Sequence, residues 1–282
     1  MTATVGIRVP QRSARHDLRA VKIVLHRELL RFRRDRMRMV TGLIQPLLFL
    51  LVLGTGLSSL MPGTGAADLK TFIFPGVCAM SVMFTAMFSA GSIVWDREFG
   101  FLREMLVAPV SRGAIVVGKC LSGALVATLQ GVAMLALAGL VGVPYDPVLM
   151  LGLLGMMFLG ALALTGFGVM LAARIKTMQA FFGLMQMSLT PMMFLSGALY
   201  PLSGLPSWLS TITLLNPLTY IVDPMRQAVF SHVSADPAVE RAFNPGVHWG
   251  DWHVPVPLQL GIVVALAAVM IGVAILEFRR GE

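Results

Sequence analysis

Six long apolar stretches constrain this sequence more than any other feature. They contain no Asp, Glu or His, and they run approximately over residues 39–60, 72–94, 113–141, 148–173, 178–199 and 258–276. Each is close to the roughly 20 residues that a helix needs to cross a hydrocarbon core of about 30 Å. The sequence therefore predicts an all-α polytopic membrane protein with six transmembrane helices in one domain, residues 39–276.

The positions of the basic residues predict the orientation. The chain is 56% apolar and 13% charged, which leaves too little polar surface for a soluble globule. With the N-terminus inside, 19 of the 22 Lys and Arg residues lie on the cytoplasmic side, and only Lys70, Arg226 and Arg241 lie outside. We expect a multi-pass protein of the plasma (bacterial inner) membrane with both termini cytoplasmic. Because most of the basic residues lie on one side of the membrane, the net charge of +8 favours contact with lipid headgroups and does not indicate a nucleic-acid partner.

The N-terminal region divides into two parts. Residues 1–14 lack periodicity and are expected to be a disordered cytoplasmic tail. Over residues 15–38, apolar side chains recur every three or four positions among arginines, namely Leu18, Val21, Leu25, Leu29 and Phe32. This pattern predicts an amphipathic interfacial helix, with its apolar face in the acyl boundary and its arginines near anionic headgroups. A basic helix that binds a calmodulin-like partner or nucleic acid is the alternative.

A charged segment, residues 95–119, separates the second and third apolar stretches. Acidic and basic side chains alternate in it, while Trp95, Phe99, Leu102 and Leu106 make one apolar side. We predict an amphipathic cytoplasmic helix over residues 96–107, followed by a turn at Pro109. Such a helix would offer one face to a partner while staying joined to two membrane spans.

The outer segment, residues 196–229, is apolar but contains Pro201, Pro206, Pro217 and Pro224. Those prolines would leave backbone groups unsatisfied in an unbroken membrane helix. We predict a re-entrant pair of short helices over residues 200–230 with a hinge at Pro217, then an extracytoplasmic loop, 231–257, and a cytoplasmic C-terminus, 277–282. Asp223 and Arg226 would hold one end at the aqueous outer face and form a weak tether to each other.

Two stretches carry a resemblance to a known family. The charged segment resembles the cytoplasmic loop of ABC-2 type transporter permeases at Glu98, Gly100, Glu104, Pro109, Ser111, Arg112, Gly118 and Lys119. The outer segment resembles the part of those permeases that precedes their last helix. Within the family, the chain is most similar to the daunorubicin-resistance type of drug exporter. The resemblance implies a permease subunit that is driven by a separate ATPase.

This resemblance implies sites and partners. Contact with cytoplasmic ABC ATPase subunits is expected at Asp96, Arg97, Glu98, Phe99, Gly100, Arg103, Glu104, Pro109 and Arg112. An outer gate is expected at Ser196, Gly197, Pro201, Pro206, Asn216, Pro217, Asp223 and Arg226. The chain itself is expected to be no enzyme and to bind no cofactor, since ATP and Mg²⁺ would sit on the partner. A second permease copy or a homologous permease would complete the exporter.

The implied cargo is a hydrophobic drug or lipid-like molecule, a role that would confer antibiotic resistance. Export of a polysaccharide or glycolipid and a non-transporting assembly or signalling role are the alternatives. An ion-coupled carrier is disfavoured because the spans lack acidic and histidine side chains. Four polar side chains within the spans have two possible roles: they line a substrate path, or they form hydrogen bonds between helices. They are Gln45, Gln130, Gln186 and Thr190.

Two weaker motifs also call for interpretation. Residues 113–120, GAIVVGKC, match a phosphate-binding loop except at Cys120, but a turn precedes them where that motif needs a strand. We therefore interpret Lys119 as a side chain that snorkels to the inner interface. His248, Asp251 and His253 alternate with two tryptophans, which favours an interfacial turn over a metal site.

Overall fold

The structure, a computed structural model, describes residues 14–56, 66–101, 110–202, 205–233 and 243–280, without the side chains of residues 14, 38, 66–68 and 280. Helices dominate these residues. In chain order they are α1 (Ala14–Arg34), α2 (Arg36–Leu48), α3 (Ala66–Ala90), α4 (Ser92–Glu98), α5 (Arg112–Leu135), α6 (Pro147–Arg174), α7 (Met178–Phe194), α8 (Ser207–Leu215), α9 (Thr219–Phe230) and α10 (Val256–Arg280). One small antiparallel hairpin pairs β1 (His248–Trp249) with β2 (Trp252–His253).

Five helical stretches are long and apolar enough to cross a membrane: Met39–Gly56, Leu69–Glu98, Arg112–Leu135, Pro147–Arg174 and Val256–Arg279. The prediction of an all-α polytopic membrane protein is confirmed. Helix α7 has 17 residues and is shorter than these five, so the sixth crossing stays a prediction. Pro46 lies inside α2, and a π-helical turn, Phe49–Leu53, follows it, as a proline disturbs the helical ladder.

Local sequence fixes where several helices begin. The Ser111 side chain accepts a hydrogen bond from the backbone N–H of Ala114 at the start of α5. Asp146 does the same for the first N–H groups of α6, and Pro147 occupies the first turn of that helix, where no N–H is needed. The backbone N–H groups of Leu149 and Val148 lower the pKa of the Asp146 carboxyl.

Helix α3 lies at the centre of the bundle. Almost every side chain from Leu69 to Val94 is buried, and α3 packs against α5, α6 and α9. Small residues allow close approach between helices: a Cβ on Gly168 of α6 would lie 2.6 Å from the Ala90 Cβ. The central position of α3 matters because its C-terminal end continues into the charged segment.

Two boundaries differ from the sequence prediction. Helix α4 ends at Glu98, and Gly100 has φ +82°, so the predicted continuous helix over residues 96–107 is wrong at its start. Glycine reaches this left-handed conformation without a steric penalty, which explains the break. Residues 102–109 lie outside the described residues. At the N-terminal end, one helix was expected over residues 15–38, but α1 ends at Arg34 and α2 begins at Arg36.

Helix α1 packs on protein along part of its length. Val24 and Phe32 are buried, and α1 runs along α5. By contrast, Leu18, which was assigned to the apolar face, is 72% exposed. The expectation that acyl chains cover the whole apolar face is therefore wrong, because α5 covers part of it.

The outer segment forms two short helices, α8 and α9, that are separated at Asn216 and Pro217. Helix α9 is largely buried, whereas Thr213 is the buried residue of α8. The depth of these helices in a bilayer stays a prediction. Of the predicted extracytoplasmic loop, the structure describes 231–233 and 243–255, which include the hairpin.

Candidate functional site

A buried ion cluster lies where α1, α4 and α5 meet. The Lys119 ammonium donates to the carboxylates of Glu28 and Asp96, each at 2.7 Å, and to the Ser92 hydroxyl at 3.0 Å. Lys119 is only 3% exposed. The prediction that this lysine snorkels to the interface is therefore wrong: its charge is held inside the protein by two carboxylates.

Arg27 completes the cluster from the outside. Its guanidinium lies 2.9 Å from the Asp96 carboxylate and 3.1 Å from that of Glu28, while its side chain stays 43% exposed. The two cations, Lys119 and Arg27, balance the two carboxylates, Glu28 and Asp96, because an unpaired buried charge is costly. Burial raises the pKa of the Glu28 carboxyl, but the Lys119 charge and the hydrogen bonds from Lys119 and Arg27 outweigh it, so the pKa is lowered.

Arg97 follows Asp96 in the chain and holds the C-terminal end of α6. Its guanidinium donates to the carbonyl oxygens of Ala172 and Ala173, each at 3.0 Å, and of Ile175 at 2.5 Å. It also lies 5.8 Å from the centre of the Phe278 ring of α10. The last carbonyls of a helix lack partners within it and carry its negative end, so a cation is favoured there.

Glu98 and Arg112 make equivalent contacts with two further helices. The Glu98 carboxylate accepts a hydrogen bond of 2.9 Å from the Met178 backbone N–H at the start of α7. The Arg112 guanidinium donates to the carbonyl oxygens of Phe278 and Arg279, at 3.1 and 3.2 Å, near the end of α10. The charge signs match the helix ends, with an acid at an N-terminus and a base at a C-terminus.

One more contact returns to α1, where Asp17 accepts a hydrogen bond of 2.8 Å from the Ser111 backbone N–H. The residues that flank the undescribed stretch 102–109 thus hold one end of each of α1, α5, α6, α7 and α10. We call this set the anchor residues: Asp96, Arg97, Glu98, Ser111 and Arg112.

Exposed aromatic rings project beside the anchor residues. Phe99 is 58% exposed and Phe101 is 52% exposed, on either side of the turn at Gly100. The Phe99 ring lies 4.7 Å from the Trp95 ring. Of the predicted ATPase contacts, the structure brings together Asp96, Arg97, Glu98, Phe99, Gly100 and Arg112. Arg103, Glu104 and Pro109 lie outside the described residues.

The predicted path residues separate into two places. Gln45 and Gln130 line one cavity of about 470 Å³ between α2, α3, α5 and α7. Gln186 and Thr190 lie on the exposed face of α7, where their side chains are 3.3 Å apart. The other cavity-lining residues are Arg31, Phe32, Asp35, Thr41, Gly42, Pro46, Phe84, Thr85, Phe88, Gly91, Ser92, Trp95, Met178 and Phe182.

Arg226, a predicted outer-gate residue, is buried and not at an aqueous face. Its guanidinium donates to the Gly197 carbonyl oxygen at 2.6 Å and lies 4.0 Å from the centre of the Phe72 ring. Gly197 adopts φ +69°, which turns the chain after α7. Arg226 therefore joins α9, α3 and this turn inside the protein.

Asp223 is buried as well and has its own partners. Its carboxylate accepts hydrogen bonds from Gln227 at 2.7 Å, Gln259 at 2.8 Å and the Val247 backbone N–H at 3.3 Å. The predicted exposed tether between Asp223 and Arg226 is wrong, because each side chain bonds elsewhere. Together they fix α9 in the core.

The remaining gate residues lie around α8. Ser196 is buried and donates to the Met193 carbonyl oxygen, and Pro201 and Pro206 lie in the connection that leads to α8. At the junction, Asn216 donates to the Met192 carbonyl oxygen at 2.7 Å and accepts from the Leu218 N–H at 3.0 Å. Bending at Pro217 would have to disturb these bonds.

The two weaker motifs fall within ordinary structure. GAIVVGKC lies inside α5, so its backbone N–H groups belong to a helix and not to a phosphate-binding loop. The His248 and His253 rings face each other across the hairpin at 5.1 Å, with Gly250 in its turn. Cys78 and Cys120 are buried free thiols.

Glu28 and Arg27 are the site residues that sequence reasoning missed. Glu28 is spaced four residues from both Val24 and Phe32, on the buried side of a helix that is otherwise rich in arginine. An acidic residue in that position is a signal for a buried basic partner, since an unpaired carboxylate is rarely buried.

Comparisons with known proteins identify the family to which this chain is similar. Residues 19–230 match the ABC-2 type transporter family. The chain is 29% identical over 217 residues to the putative transport permease ycf38 of Cyanophora paradoxa, which covers 75% of this chain and 74% of that protein. It is 31% identical over 172 residues to the probable multidrug ABC transporter permease YbhR of Escherichia coli strain K12, covering 60% of this chain.

Only 46% of YbhR is covered by that alignment, so this chain matches less than half of the relative's length. Nodulation protein J of Rhizobium leguminosarum bv. trifolii is 29% identical over 197 residues, covering 69% of this chain and 74% of that protein. The family match spans α1 to α9 and includes the described anchor residues and the outer segment. This chain belongs to the ABC-2 type transporter family.

Proposed function

We propose that this chain is the permease subunit of an ATP-driven exporter that moves a hydrophobic drug or lipid-like molecule outward across the plasma membrane. One observation carries the proposal: the anchor residues, which flank residues 102–109, hold one end of each of five helices. A partner that moves these residues would move those helices together.

The motor would be a cytoplasmic ABC ATPase that carries ATP and Mg²⁺. Phe99 and Phe101 are exposed aromatic side chains that directly follow the anchor residues of α4, and aromatic residues are enriched at protein interfaces. Two such subunits would act with this permease and a second permease copy or homologous permease. Both termini and the anchor residues would lie in the cytoplasm.

The contacts support a specific mechanism of coupling. Helix α4 is the continuation of the central span α3, and Asp96, Arg97 and Glu98 lie on it. A push on Phe99 and Phe101 would tilt α4, and Arg97 and Glu98 would carry this tilt to α6 and α7. Because each contact joins a charge to a helix end or to an opposite charge, the helices would move as one body between two states.

The cavity supports the choice of cargo. A volume of about 470 Å³, lined by five aromatic residues and by a few amides and hydroxyls, is typical of a drug-sized site. Gln45 and Gln130 would orient polar groups of the cargo, while Phe84, Phe88 and Phe182 would pack on its apolar part. The printed name of YbhR, a probable multidrug permease, also supports a drug as cargo.

Reconstitution tests this function. The full chain is purified with an affinity tag from its native membrane, the co-purifying ATPase is identified, and both are placed in proteoliposomes. We expect ATP-dependent movement of a fluorescent hydrophobic drug and substrate-stimulated ATP hydrolysis. Movement of a labelled glycolipid but not of the drug would assign the alternative cargo. Absence of any ATPase and of any transport would favour an assembly or signalling role.

A further inference from the structure

We propose that the cavity between α2, α3, α5 and α7 binds an anionic amphiphile, with its acidic headgroup on Arg31 and Arg34 and its apolar part inside the cavity. This inference rests on the proposed function and names the chemical class of the cargo. The acidic group is a phosphate or carboxylate, which could come from a membrane lipid or from an exported solute.

The first observation is a groove of arginines at the mouth of the cavity. Arg27, Arg31 and Arg34 follow one another at helical spacing on α1, and they line this groove with Leu30 and Asp35. Arg31 and Asp35 also line the cavity itself, so the groove and the cavity adjoin each other. A ligand can therefore contact both at once.

The second observation is the charge around that mouth. Arg27 is paired with Asp96 and Glu28, so its charge is largely balanced within the protein. The other two arginines that line the groove, Arg31 and Arg34, are accompanied by a single carboxylate in its lining, that of Asp35. The mouth is thus net positive, which favours an anion and disfavours an ammonium group. Guanidinium groups also suit phosphate and carboxylate because they donate two parallel hydrogen bonds.

The third observation is the wall that continues from the mouth inward. The Arg31 guanidinium lies 5.6 Å from the centre of the Trp95 ring, and Trp95 opens onto the cavity. Phe84, Phe88 and Phe182 line the same cavity, and the ring centres of Phe88 and Phe182 are 5.8 Å apart. A charged head at the arginines and an apolar body at these rings would each meet a matching surface.

Trp95 serves as a built-in reporter of occupancy. The other tryptophans, Trp208, Trp249 and Trp252, are replaced by Phe so that only Trp95 fluoresces. The full chain is placed in zwitterionic lipid nanodiscs and titrated with two bromine-tagged quenchers of equal chain length, a dodecyl phosphate and a dodecyl trimethylammonium. Half-saturating concentrations are compared, since they do not depend on the starting brightness of Trp95.

We expect the phosphate to quench Trp95 at the lower concentration. Arg31→Gln and Arg34→Gln should each raise its half-saturating concentration about fivefold, as the loss of about one surface charge contact implies. Arg19→Gln, an exposed arginine of α1 outside the groove, is the matched control and should change nothing. Equal half-saturation for the two probes, or an unchanged phosphate curve in both groove variants, would overturn the proposal.

Two competition arms identify the source of the anion. Phosphatidylglycerol in the nanodisc should displace the phosphate probe if a membrane lipid occupies the site, and it should not if the occupant is an exported solute. Displacement by inorganic phosphate alone, at the concentration of the probe, would contradict an amphiphile. The titration needs no ATPase, so its failure would leave ATP-driven export untouched, and a failure of export would leave the titration unaffected.

Discussion

Lys119 and Asp96 form an ion pair of 2.7 Å in which the lysine side chain is 2% exposed and the aspartate side chain 5% exposed. The pair joins the third turn of α5 to the C-terminal end of the central span, Leu69–Glu98. Because Glu28 binds the same ammonium, α1 is held at the same point. The N-terminal helix α1 is therefore joined to the same ion cluster as the anchor residue Asp96.

The first prediction concerns the stability of this cluster. Lys119→Met leaves two carboxylates buried without their main partner, and we expect it to destabilise the protein by about 3–5 kcal/mol. Adding Glu28→Gln and Asp96→Asn removes those charges, so the triple variant should recover most of the loss. Thermal unfolding midpoints in detergent measure this, with the exposed Lys22→Met as control. Equal midpoints for single and triple variants would contradict the assignment.

The second prediction is the pH dependence of the same cluster. The pKa of Glu28 is lowered from 4.5, so its contribution to stability is complete above pH 4.5 and is lost as the pH falls through the lowered value. The difference in unfolding midpoint between wild type and Glu28→Gln should therefore be largest near neutral pH and vanish in acid. A difference that stays constant into strong acid would disprove it.

Most of the fold could be predicted from the sequence because apolar length and proline position act locally. The spans followed from the apolar stretches, and the break between α8 and α9 followed from Pro217. The end of α4 could not be placed in advance, because the apolar spacing of Phe99 and Leu102 continues through Gly100 while the backbone there turns left-handed. The spacing of apolar residues indicates which face of a helix is apolar, but it does not indicate where the helix ends.

The third prediction concerns topology, which rests on the distribution of Lys and Arg. Lys176→Cys, in the exposed link between α6 and α7, should be shielded from a membrane-impermeant thiol reagent added outside intact cells. Asp251→Cys, at the exposed tip of the hairpin, should react. The native Cys78 and Cys120 are buried and give a low background. Labelling in the reverse pattern would invert the orientation and move the anchor residues outside.

The fourth prediction assigns gate movement to α8, because Asp223 and Arg226 hold α9 in the core. A cysteine at Leu215, which is 79% exposed on α8, should arrest export when it is oxidised to a cross-link between two permease copies. A bulky maleimide on the same cysteine should slow export where no cross-link forms. Reduction of the cross-link should restore export to its original rate. Export at the original rate with either modification complete would show that the path opens elsewhere.

The buried charges mark the limit of sequence reasoning about the site. Asp96 and Lys119 are 23 positions apart, and Glu28 is 91 positions from Lys119, so no local pattern relates them. Lys119 lies near the start of an apolar run, where snorkelling is the ordinary expectation. Asp223 and Arg226 were placed outside for a similar reason: their burial depends on α3, α10 and the Gly197 turn, which only tertiary packing brings together.

The fifth prediction tests the central claim most directly, which is that force reaches the spans through the anchor residues. The measurement is the number of drug molecules exported per ATP hydrolysed in proteoliposomes that contain the permease and its ATPase. Arg97→Ala removes three hydrogen bonds to the end of α6, so export per ATP should fall by about tenfold, or ~1.4 kcal/mol of coupling, while the chain still inserts. Arg33→Ala, an exposed arginine of α1, is the control and should leave the ratio unchanged. A wild-type ratio in Arg97→Ala would contradict the account.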